Sequence, residues 1–534
     1  MIRKILHRLS AAVGRIFWPP PPGRLAVPPP VTETPPPPPP TQLPPVPEPE
    51  KITPIEKSVA ANPPSRRPPR MWNIGLDFGT AFTKCVVRDL GATQAFVVPM
   101  AGEQSLLPSE VFVGRSRLGL FGETLSDGQT YRVQNLKMIL AETASGQTDG
   151  LWATEFRRLS EHQPDAALAS NPGGLTAYFL ARAIQKAKAF ILAKSPDFDE
   201  SRGDRCFLNM AVPVAHAEQT TIAATFESCL RKAWLLAREA SLSDWDQTRV
   251  QNTLARLDAG SEDDIPCYLY PEVSANVQSY IKSRAGADGL YLFLDVGAGT
   301  VDLSVFIYYT HPSNERPISY YSAGVIPLGS SQIEMRAARS IGGNSTASLE
   351  SAGLSTGSAP LLHLQLQELL RLGKEGHKID QSFRQAMRAA EKSVEDDLLD
   401  EAAKILNGAR VKLVQDADGR RRPAGVDQWR TLNLLVGGGG ARTPLYARTI
   451  ERWFQVCNHP VPSRKPIPLP GDLKWPQNLS QQNGGEFTRF TVAYGLSFAR
   501  PDLEDHRFPK EVRPVTGVIE TPSNRPQAPS KDEC

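Results

Sequence analysis

The sequence predicts an α/β fold of two lobes for most of the chain. Two segments, residues 73–90 and 291–307, share one pattern: an apolar strand reaches an aspartate, a turn of small residues follows, and a second strand begins. A third segment, residues 434–444, is an apolar strand followed by four glycines. Strand-rich stretches alternate with helical ones, such as residues 176–192 and 220–237, as is typical of the α/β class. We expect the lobes to comprise residues 71–270 and 271–500.

The first 70 residues differ from the rest in composition. Residues 19–70 hold 22 of the 48 prolines. Residues 1–70 carry ten basic and four acidic residues, whereas the remainder carries 50 basic and 53 acidic residues. A body so close to neutrality lacks the large positive surface on which nucleic-acid binding depends. We therefore expect no nucleic-acid partner.

Residues 1–18 have the pattern of a basic amphipathic helix. Apolar residues recur at helical spacing, basic residues take the other side, and acids are absent. Charges interrupt the apolar residues, unlike in a secretory signal. Three interpretations stay open: the helix lies on an anionic membrane surface, it docks on the body or in the groove of a partner protein, or it is a targeting peptide.

The segments that flank the body predict no packed core. Residues 19–70 predict a semi-rigid, disordered linker, because proline fixes φ and removes a backbone donor. A ligand for a domain that recognises proline-rich segments is the alternative. Residues 501–534 are rich in proline and charge, which predicts a disordered tail.

The sequence predicts a cytoplasmic location. Its six cysteines are scattered without a Cys-x-x-Cys spacing, which favours reduced thiols over disulfides or a zinc site. The most apolar stretch, residues 289–309, contains two aspartates and is a poor candidate for a membrane span. If the first helix binds lipid, the protein would be peripheral on the cytoplasmic face of a membrane.

The two strand-turn-strand segments are candidate phosphate-binding sites. Their turns contain Gly79, Thr80, Gly297, Ala298, Gly299 and Thr300. Glycine lets a ligand approach the backbone, and a threonine hydroxyl can donate to phosphate. Asp77 and Asp295 lie at the ends of apolar strands, where a carboxylate is costly unless it is paired or bound to a metal. Hairpins that face each other would place both aspartates around a hydrated Mg²⁺.

The third glycine-rich segment is a candidate adenosine site. A loop of this kind admits a base or a ribose against bare backbone. Its candidate residues are Gly438, Gly439, Gly440 and Arg442. Arg442 could equally cap a helix or pair with an acid.

In combination and order, these motifs resemble those of the actin, sugar kinase and heat-shock chaperone ATPase superfamily. Residues 77–84 are similar to its first phosphate motif, residues 295–302 to its second, and residues 436–444 to its adenosine motif. Further segments resemble the seventy-kilodalton heat-shock chaperones of the DnaK type, namely residues 107–111, 122–123, 135–140, 211–214, 271–275 and 492–495. The resemblance covers about residues 72–500.

The resemblance implies a two-lobed, actin-like ATPase fold. Each lobe would be a mixed five-stranded sheet flanked by helices, with ATP or ADP and Mg²⁺ in the cleft between the lobes. Asp77 and Asp295 would hold the metal through water. The residues at the nucleotide would be Gly79, Thr80, Thr83, Lys84, Gly297, Ala298, Gly299, Thr300, Gly329, Gly438, Gly439, Gly440 and Arg442, with the Arg442 guanidinium stacked on the base.

The resemblance also implies three catalytic residues. Lys137 would neutralise charge that develops on the γ-phosphoryl group, while Glu272 and Asp302 would orient the attacking water or the metal shell. Lys137 has an alternative as an exposed helix lysine. Around Glu272 the local pattern differs from that of the family, because proline precedes the glutamate rather than following it.

Three departures from the family's pattern limit what it implies. Ser330 and Ser331 stand where the family has a second glycine and an acid. The expected helical subdomain, about residues 341–430, opens with the Gly/Ser-rich stretch 342–358, and its adenine-contacting residues are not identifiable. After residue 499 the sequence offers no β-sandwich for client peptides.

The sequence therefore predicts an ATP-binding, slowly hydrolysing protein similar to heat-shock chaperones but without their client-binding domain. Its reaction would be ATP plus water to ADP plus phosphate. It would act as a nucleotide-dependent switch for an unknown protein partner or co-chaperone, tethered to a membrane surface if residues 1–18 bind lipid. The alternatives are an actin-like membrane-associated scaffold or filament protein, a nucleotide-binding module without catalytic activity, and a sugar kinase.

Overall fold

The structure is a computed structural model. It describes residues 67–125, 130–161, 168, 170–259, 265–308, 317–340, 381–415, 428–476, 484–503 and 505–508. The amphipathic helix, nearly all of the proline-rich linker, the Gly/Ser-rich stretch and most of the tail lie outside the described residues. The described residues from Pro69 onward belong to one compact unit.

The fold is α/β, as predicted. In chain order, the strands of the described residues are β1 (Met71–Phe78), β2 (Phe82–Asp89), β3 (Gln94–Val97), β4 (Leu107–Pro108), β5 (Val111–Val113), β6 (Leu118–Gly119), β7 (Tyr131–Val133), β8 (Arg205–Val212), β9 (Cys267–Pro271), β10 (Gly289–Val296), β11 (Val301–Tyr308), β12 (Ile318–Ile326), β13 (Asn433–Gly437), β14 (Ser463–Arg464), β15 (Leu473–Lys474) and β16 (His506–Arg507).

Helices flank these strands. They are α1 (Leu136–Ala144), α2 (Leu151–Glu161), α3 (Pro172–Lys194), α4 (Val214–Glu218), α5 (Thr220–Leu236), α6 (Gln247–Ala259), α7 (Glu272–Asn276), α8 (Gln278–Ile281), α9 (Ser330–Ser340), α10 (Gln381–Gln415), α11 (Pro444–Val456), α12 (Gly484–Phe487) and α13 (Thr491–Leu496). Helices α3 and α5 confirm the helical patterns predicted for residues 176–192 and 220–237. None of the described helices is long and apolar enough to cross a bilayer.

Helix α3 shows how local sequence sets an element. Pro172 occupies its first turn, where the missing N–H costs nothing. The side chain of Asn171 accepts a hydrogen bond from the Gly174 N–H at 2.8 Å, which caps the helix. Most of the helix is buried, and it packs against α5 beneath the first sheet.

The first sheet has the strand order β15-β3-β2-β1-β8-β9, with β4 paired to β2. Strands β1 and β2 form an antiparallel hairpin, and β8 and β9 continue from β1 in parallel. Apolar side chains of β1 pack on α3 and α5, while Val86 and Val97 face an aromatic cluster around Phe490. Because both faces are covered, β1 is an almost continuous apolar run.

The second sheet has the strand order β14-β13-β10-β11-β12-β16. Strands β10, β11 and β12 are antiparallel neighbours, and β13 pairs with β10 in parallel. Helices α9, α10 and α11 contribute to the core on one face, while α7 and α8 pack with a tyrosine-rich cluster on the other.

The two sheets share their central strand order. In each one, a hairpin and a third antiparallel strand lie on one side of the first strand, and a parallel pair lies on the other: β3-β2-β1-β8-β9 and β12-β11-β10-β13-β14. The strand counts are seven and six rather than five each. The added strands are two-residue pairings at edges and margins, which are too short for sequence periodicity to reveal. One of them, β15, joins the first sheet from the part of the chain expected in the second lobe.

Helix α13 packs between the first sheet and helix α7. It packs against β1 of the first sheet and against α7, which follows β9. A Cβ at Gly75 of β1 would lie 2.2 Å from the Ala493 carbonyl oxygen, and a Cβ at Gly495 would lie 1.8 Å from the Ala275 carbonyl oxygen. Glycine at both positions is therefore what allows the close approach.

Candidate functional site

The first hairpin places Asp77 opposite Lys84. The two residues are register partners across β1 and β2. The Lys84 Nζ lies 2.6 Å from the Asp77 Oδ2, and the Asp77 side chain is almost fully buried. Lys84 therefore compensates the charge of a carboxylate that the strand carries out of water.

The second hairpin places two carboxylates opposite each other. Asp295 and Asp302 are register partners across β10 and β11, and both are buried. Burial, followed by the nearby charges of Glu272 and Asp77, raises the pKa of Asp295 to about 7 against the opposing effect of Lys84 and Lys137. Burial and the charge of Glu272 also raise the pKa of Asp302 well above its usual range. The two carboxyl groups of this hairpin therefore bind protons more readily than ordinary aspartates do.

Asn276 fixes the orientation of Asp295. The residue ends α7 and is fully buried. Its Nδ2 donates a hydrogen bond to the Asp295 Oδ2 at 3.0 Å. The other carboxylate oxygen of Asp295, Oδ1, lies against Gly438 of the third glycine-rich loop.

Lys137 and Glu272 form a buried ion pair. Lys137 lies in the first turn of α1, and this helix begins directly after Asn135, whose φ of 57° is left-handed. Burial tends to lower the pKa of Lys137, but the charges of Glu272, Asp77 and Asp302 together raise it. Lys137 is therefore a charged residue inside the protein and not an exposed helix lysine.

The three glycine-rich loops touch one another. A Cβ at Gly299 would lie 2.7 Å from the Thr80 Cγ2, so the turns of the two hairpins are in contact. Gly438 has a φ of +84°, and a Cβ there would lie 2.3 Å from the Asp295 Oδ1. No side chain fits at either position without displacing a neighbour, because the side chains of Thr80 and Asp295 lie directly against these two glycines.

Two connected chambers lie between the hairpins. The acidic chamber has an open volume of about 450 Å³, and carboxylates from both sheets line it. The lining comprises Asp77, Gly79, Thr80, Lys84, Lys137, Glu272, Asp295, Gly297, Thr300, Asp302, Gly438, Gly439, Thr488, Arg489 and Val492.

The basic chamber has an open volume of about 730 Å³. Three cationic side chains line it, and no described carboxylate does. The lining comprises Gly79, Thr80, Ala81, Phe82, Lys84, Gly297, Ala298, Ser330, Ser331, Gly439, Gly440, Arg442 and Arg489. The chambers meet at the glycine turns, where Thr80, Lys84 and Arg489 line both.

Most of the residues singled out from the sequence line these chambers, and three stand behind the lining. The Thr83 Oγ1 lies 2.9 Å from the Ser109 Oγ, and its side chain is fully buried. The Gly329 N–H donates to the Gly299 carbonyl oxygen at 3.1 Å. Thr83, Gly299 and Gly329 therefore support the shape of the turns.

Sequence reasoning missed three polar residues of this region. Arg489 lines both chambers, Thr488 lines the acidic chamber, and Asn276 holds Asp295. None of them belongs to a recognisable motif. Ser330 and Ser331 were noted as departures from a pattern, and both line the basic chamber. The weak available signal for Arg489 is its place two residues before the last buried helix.

The acidic chamber suits a hydrated cation better than a bare one. Among the described residues, no group of three or more His, Cys, Asp or Glu side chains could hold a metal ion by itself. The buried Asp302 Oδ1 has no hydrogen-bond partner in the described part of the chain. Mg²⁺ keeps several of its waters and needs few carboxylates, so these residues fit a water-mediated Mg²⁺ site.

Comparison with known proteins does not assign the chain. No protein-family model matches it, and no curated protein matches it significantly. The residues of the two chambers are therefore the features of the protein that indicate a function.

Proposed function

We propose that this protein is a Mg²⁺-dependent ATPase that binds ATP between the two hairpins. The observation that carries the proposal is the separation of charge across one cleft. Cationic side chains and bare backbone line the basic chamber without a described carboxylate, while four carboxylates join Lys84, Lys137 and Arg489 in the adjoining acidic chamber. A triphosphate with a hydrated Mg²⁺ is a ligand that needs both environments side by side.

The basic chamber would hold the phosphate chain. Lys84, Arg442 and Arg489 supply charge-assisted donors, and the glycine turns bring backbone N–H groups close to the ligand. The hydroxyl groups of Thr80, Ser330 and Ser331 add neutral donors. Gly438 to Gly440 would form one wall for adenosine, with the half-exposed Arg442 above it.

The acidic chamber would hold the metal and the attacking water. Asp77 and Asp295 would bind Mg²⁺ through water, and the ion would neutralise phosphate charge when bound. Asp302 would orient a water molecule, a role that its unpartnered buried oxygen supports. The pKa of Asp302 is raised, so this carboxyl can also hold a proton.

Hydrolysis would use the buried ion pair beside the metal site. A water oxygen attacks the γ-phosphorus, the bond from that phosphorus to the bridging oxygen breaks, and ADP leaves. The proton of the water passes to Glu272 or Asp302. Lys137 stabilises the charge on the transferring phosphoryl group because it is positively charged and buried.

We further propose a two-lobed, actin-like arrangement in which each sheet belongs to one lobe. The shared central strand order supports it, as does the close packing of α13 against both β1 and α7. Nucleotide that bridges the hairpins would hold the lobes together. Closure would then act as a switch for a partner protein, as the resemblance to heat-shock chaperones suggests.

Calorimetry with Mg-ATP tests the proposed function. The wild-type protein should bind with a Kd in the micromolar range or below, on the order of 8 kcal/mol of binding free energy. Asp77→Ala and Asp295→Ala should each weaken binding at least about tenfold, because each removes a carboxylate from the metal site. Asp396→Ala, on an exposed face of α10, is the matched control.

If the wild-type protein does not bind Mg-ATP in this experiment, the proposed function is refuted. Single-turnover hydrolysis then separates an active enzyme from a module that only binds. Lys137→Met should keep ATP binding and lose turnover, because Lys137 serves the transition state more than the ground state.

A further inference from the structure

Two arginines share one carboxylate beside the basic chamber. The Arg442 Nη2 lies 2.7 Å from the Glu486 Oε1. The Arg489 Nη1 donates to the Glu486 Oε2 at 3.5 Å. One acid therefore serves two bases, and the group carries one net positive charge.

Arg489 is the less satisfied of the two arginines. In the described part of the chain, its guanidinium makes that single hydrogen bond, which is at the long end of the usual range. The Arg489 side chain is 17% exposed, against 49% for Arg442. Burial, joined by the charge of Arg442 and opposed by Glu486, lowers the pKa of Arg489. A poorly paired guanidinium in this position gains strongly from an anion.

The location of Arg489 brings it to the candidate phosphate position. It lines both chambers at their junction. Its Nε lies 3.6 Å from the position of a Cβ on Gly439, so it stands over the third glycine loop. The Gly438 N–H donates to the carbonyl oxygen of the preceding Thr488 at 3.1 Å, which fixes the Arg489 backbone against that loop.

We propose that Arg489 binds a phosphate group of the nucleotide and that Glu486 competes with this phosphate for it. This inference rests on the proposed function and assigns how the same site selects its ligand. Without nucleotide, Glu486 holds both arginines. A phosphate takes Arg489 in two-point geometry and leaves Glu486 to Arg442.

If Glu486 competes with phosphate, replacing it by an amide should strengthen ATP binding. Glu486→Gln keeps the shape of the side chain and removes the competing charge, so ATP should bind about three- to tenfold more tightly. Arg489→Ala should weaken ATP binding about tenfold or more. Arg489→Lys should restore part of the loss, because it keeps the charge without the two-point geometry.

Calorimetry on the full chain with ATP, ADP and adenosine tests the inference. Both effects should be largest for ATP and stay within about twofold for adenosine, which has no phosphate. In the Arg489→Ala background, Glu486→Gln should have a smaller effect than in the wild type, because the residue it releases is gone. Glu395→Gln, which removes an acid paired with Arg452 on exposed helices, is the matched control.

The results separate failure of the Glu486 competition from failure of phosphate recognition and from failure of ATP binding itself. If wild-type protein binds ATP and Glu486→Gln leaves binding unchanged or weakens it, the competition is refuted and the proposed function stands. Equal losses for ATP and adenosine in Arg489→Ala would also overturn phosphate recognition. If wild-type protein binds no ATP, the proposed function fails and takes this inference with it.

Discussion

The ion pair of Lys137 and Glu272 joins two distant helices inside the protein. Removing one member leaves a buried charge without its partner, which costs roughly 3–5 kcal/mol. We therefore expect Lys137→Met to lower the free energy of unfolding by about 3 kcal/mol. The double variant Lys137→Met with Glu272→Gln should recover much of this stability, because neither remaining side chain is charged.

Urea denaturation and single-turnover hydrolysis measure the two effects separately. The double variant should regain stability and stay inactive, since the proposed catalytic charge is still missing. A double variant as unstable as Lys137→Met would contradict the pairing argument. Recovered hydrolysis in the double variant would contradict the catalytic role of Lys137.

Single residues differ in how visible they are in the sequence. Asp77 and Asp295 are conspicuous because each lies at the end of an apolar strand, where a carboxylate needs a compensating partner. Arg489 follows an unremarkable stretch, and the loops it faces lie far away in the chain. Its environment arises only when Gly439 folds against it. Arg442 pairs with an acid, as one of its alternatives predicts, and it also lines the basic chamber.

Among the elements, α13 has the tightest packing against its neighbours. The Cβ position of Gly495 is 1.8 Å from the Ala275 carbonyl oxygen, which belongs to rigid backbone. Gly495→Ala should therefore lower the free energy of unfolding by about 2 kcal/mol or more, because α13 or α7 must shift. Urea denaturation measures the change.

Gly471 offers a control for the same substitution. It is exposed, and a Cβ there would meet nothing within 4 Å. Gly471→Ala should change the free energy of unfolding by no more than about 1 kcal/mol. If the two variants lose equal stability, the packing of α13 does not explain the requirement for glycine.

Elements with a strong sequence pattern were predictable, and short ones were not. The two hairpins combine apolar strands with glycine turns, and α3 and α5 have long helical patterns. By contrast, β14, β15 and β16 contain two residues each. Such short strands form only because they pair with neighbouring strands in the folded protein, so no local sequence pattern predicts them.

The stability of the whole molecule should depend on pH through the acidic chamber. The pKa of Asp295 is raised from 3.8 to about 7. Between these values the folded protein binds more protons than the unfolded chain, so the free energy of unfolding falls as pH rises. Each pKa unit corresponds to about 1.4 kcal/mol.

Denaturation of the Mg²⁺-free protein from about pH 5 to pH 7.5 measures this dependence. Asp295→Asn cannot titrate and should flatten the decline. Burial and the charge of Lys137 lower the pKa of His216 to about 4, which acts in the opposite direction below its ordinary value of 6.5. His216 is present in both proteins, so its effect cancels in the difference. An unchanged slope in Asp295→Asn would contradict the assignment.

At the scale of the whole molecule, the α/β class could be predicted, whereas the charge pattern of the cleft could not. The alternation of strands and helices follows from local patterns of apolar residues, which the sequence shows directly. The separation into acidic and basic chambers depends on side chains that are distant in the sequence, such as Lys84 and Arg442, meeting at one place. No window of sequence contains that arrangement.

The matched strand order of the two sheets makes their hairpins comparable residue by residue. Asp77 on β1 corresponds to Asp295 on β10, and the residues opposite them across the ladder are Lys84 and Asp302. The position opposite the strand-end aspartate is therefore a base in the first hairpin and an acid in the second. The backbone is repeated, but the electrostatic design is not: one copy neutralises its own aspartate, while the other leaves its aspartate in need of a cation. A single lysine–aspartate difference thus makes two hairpins with the same backbone pattern electrostatically different.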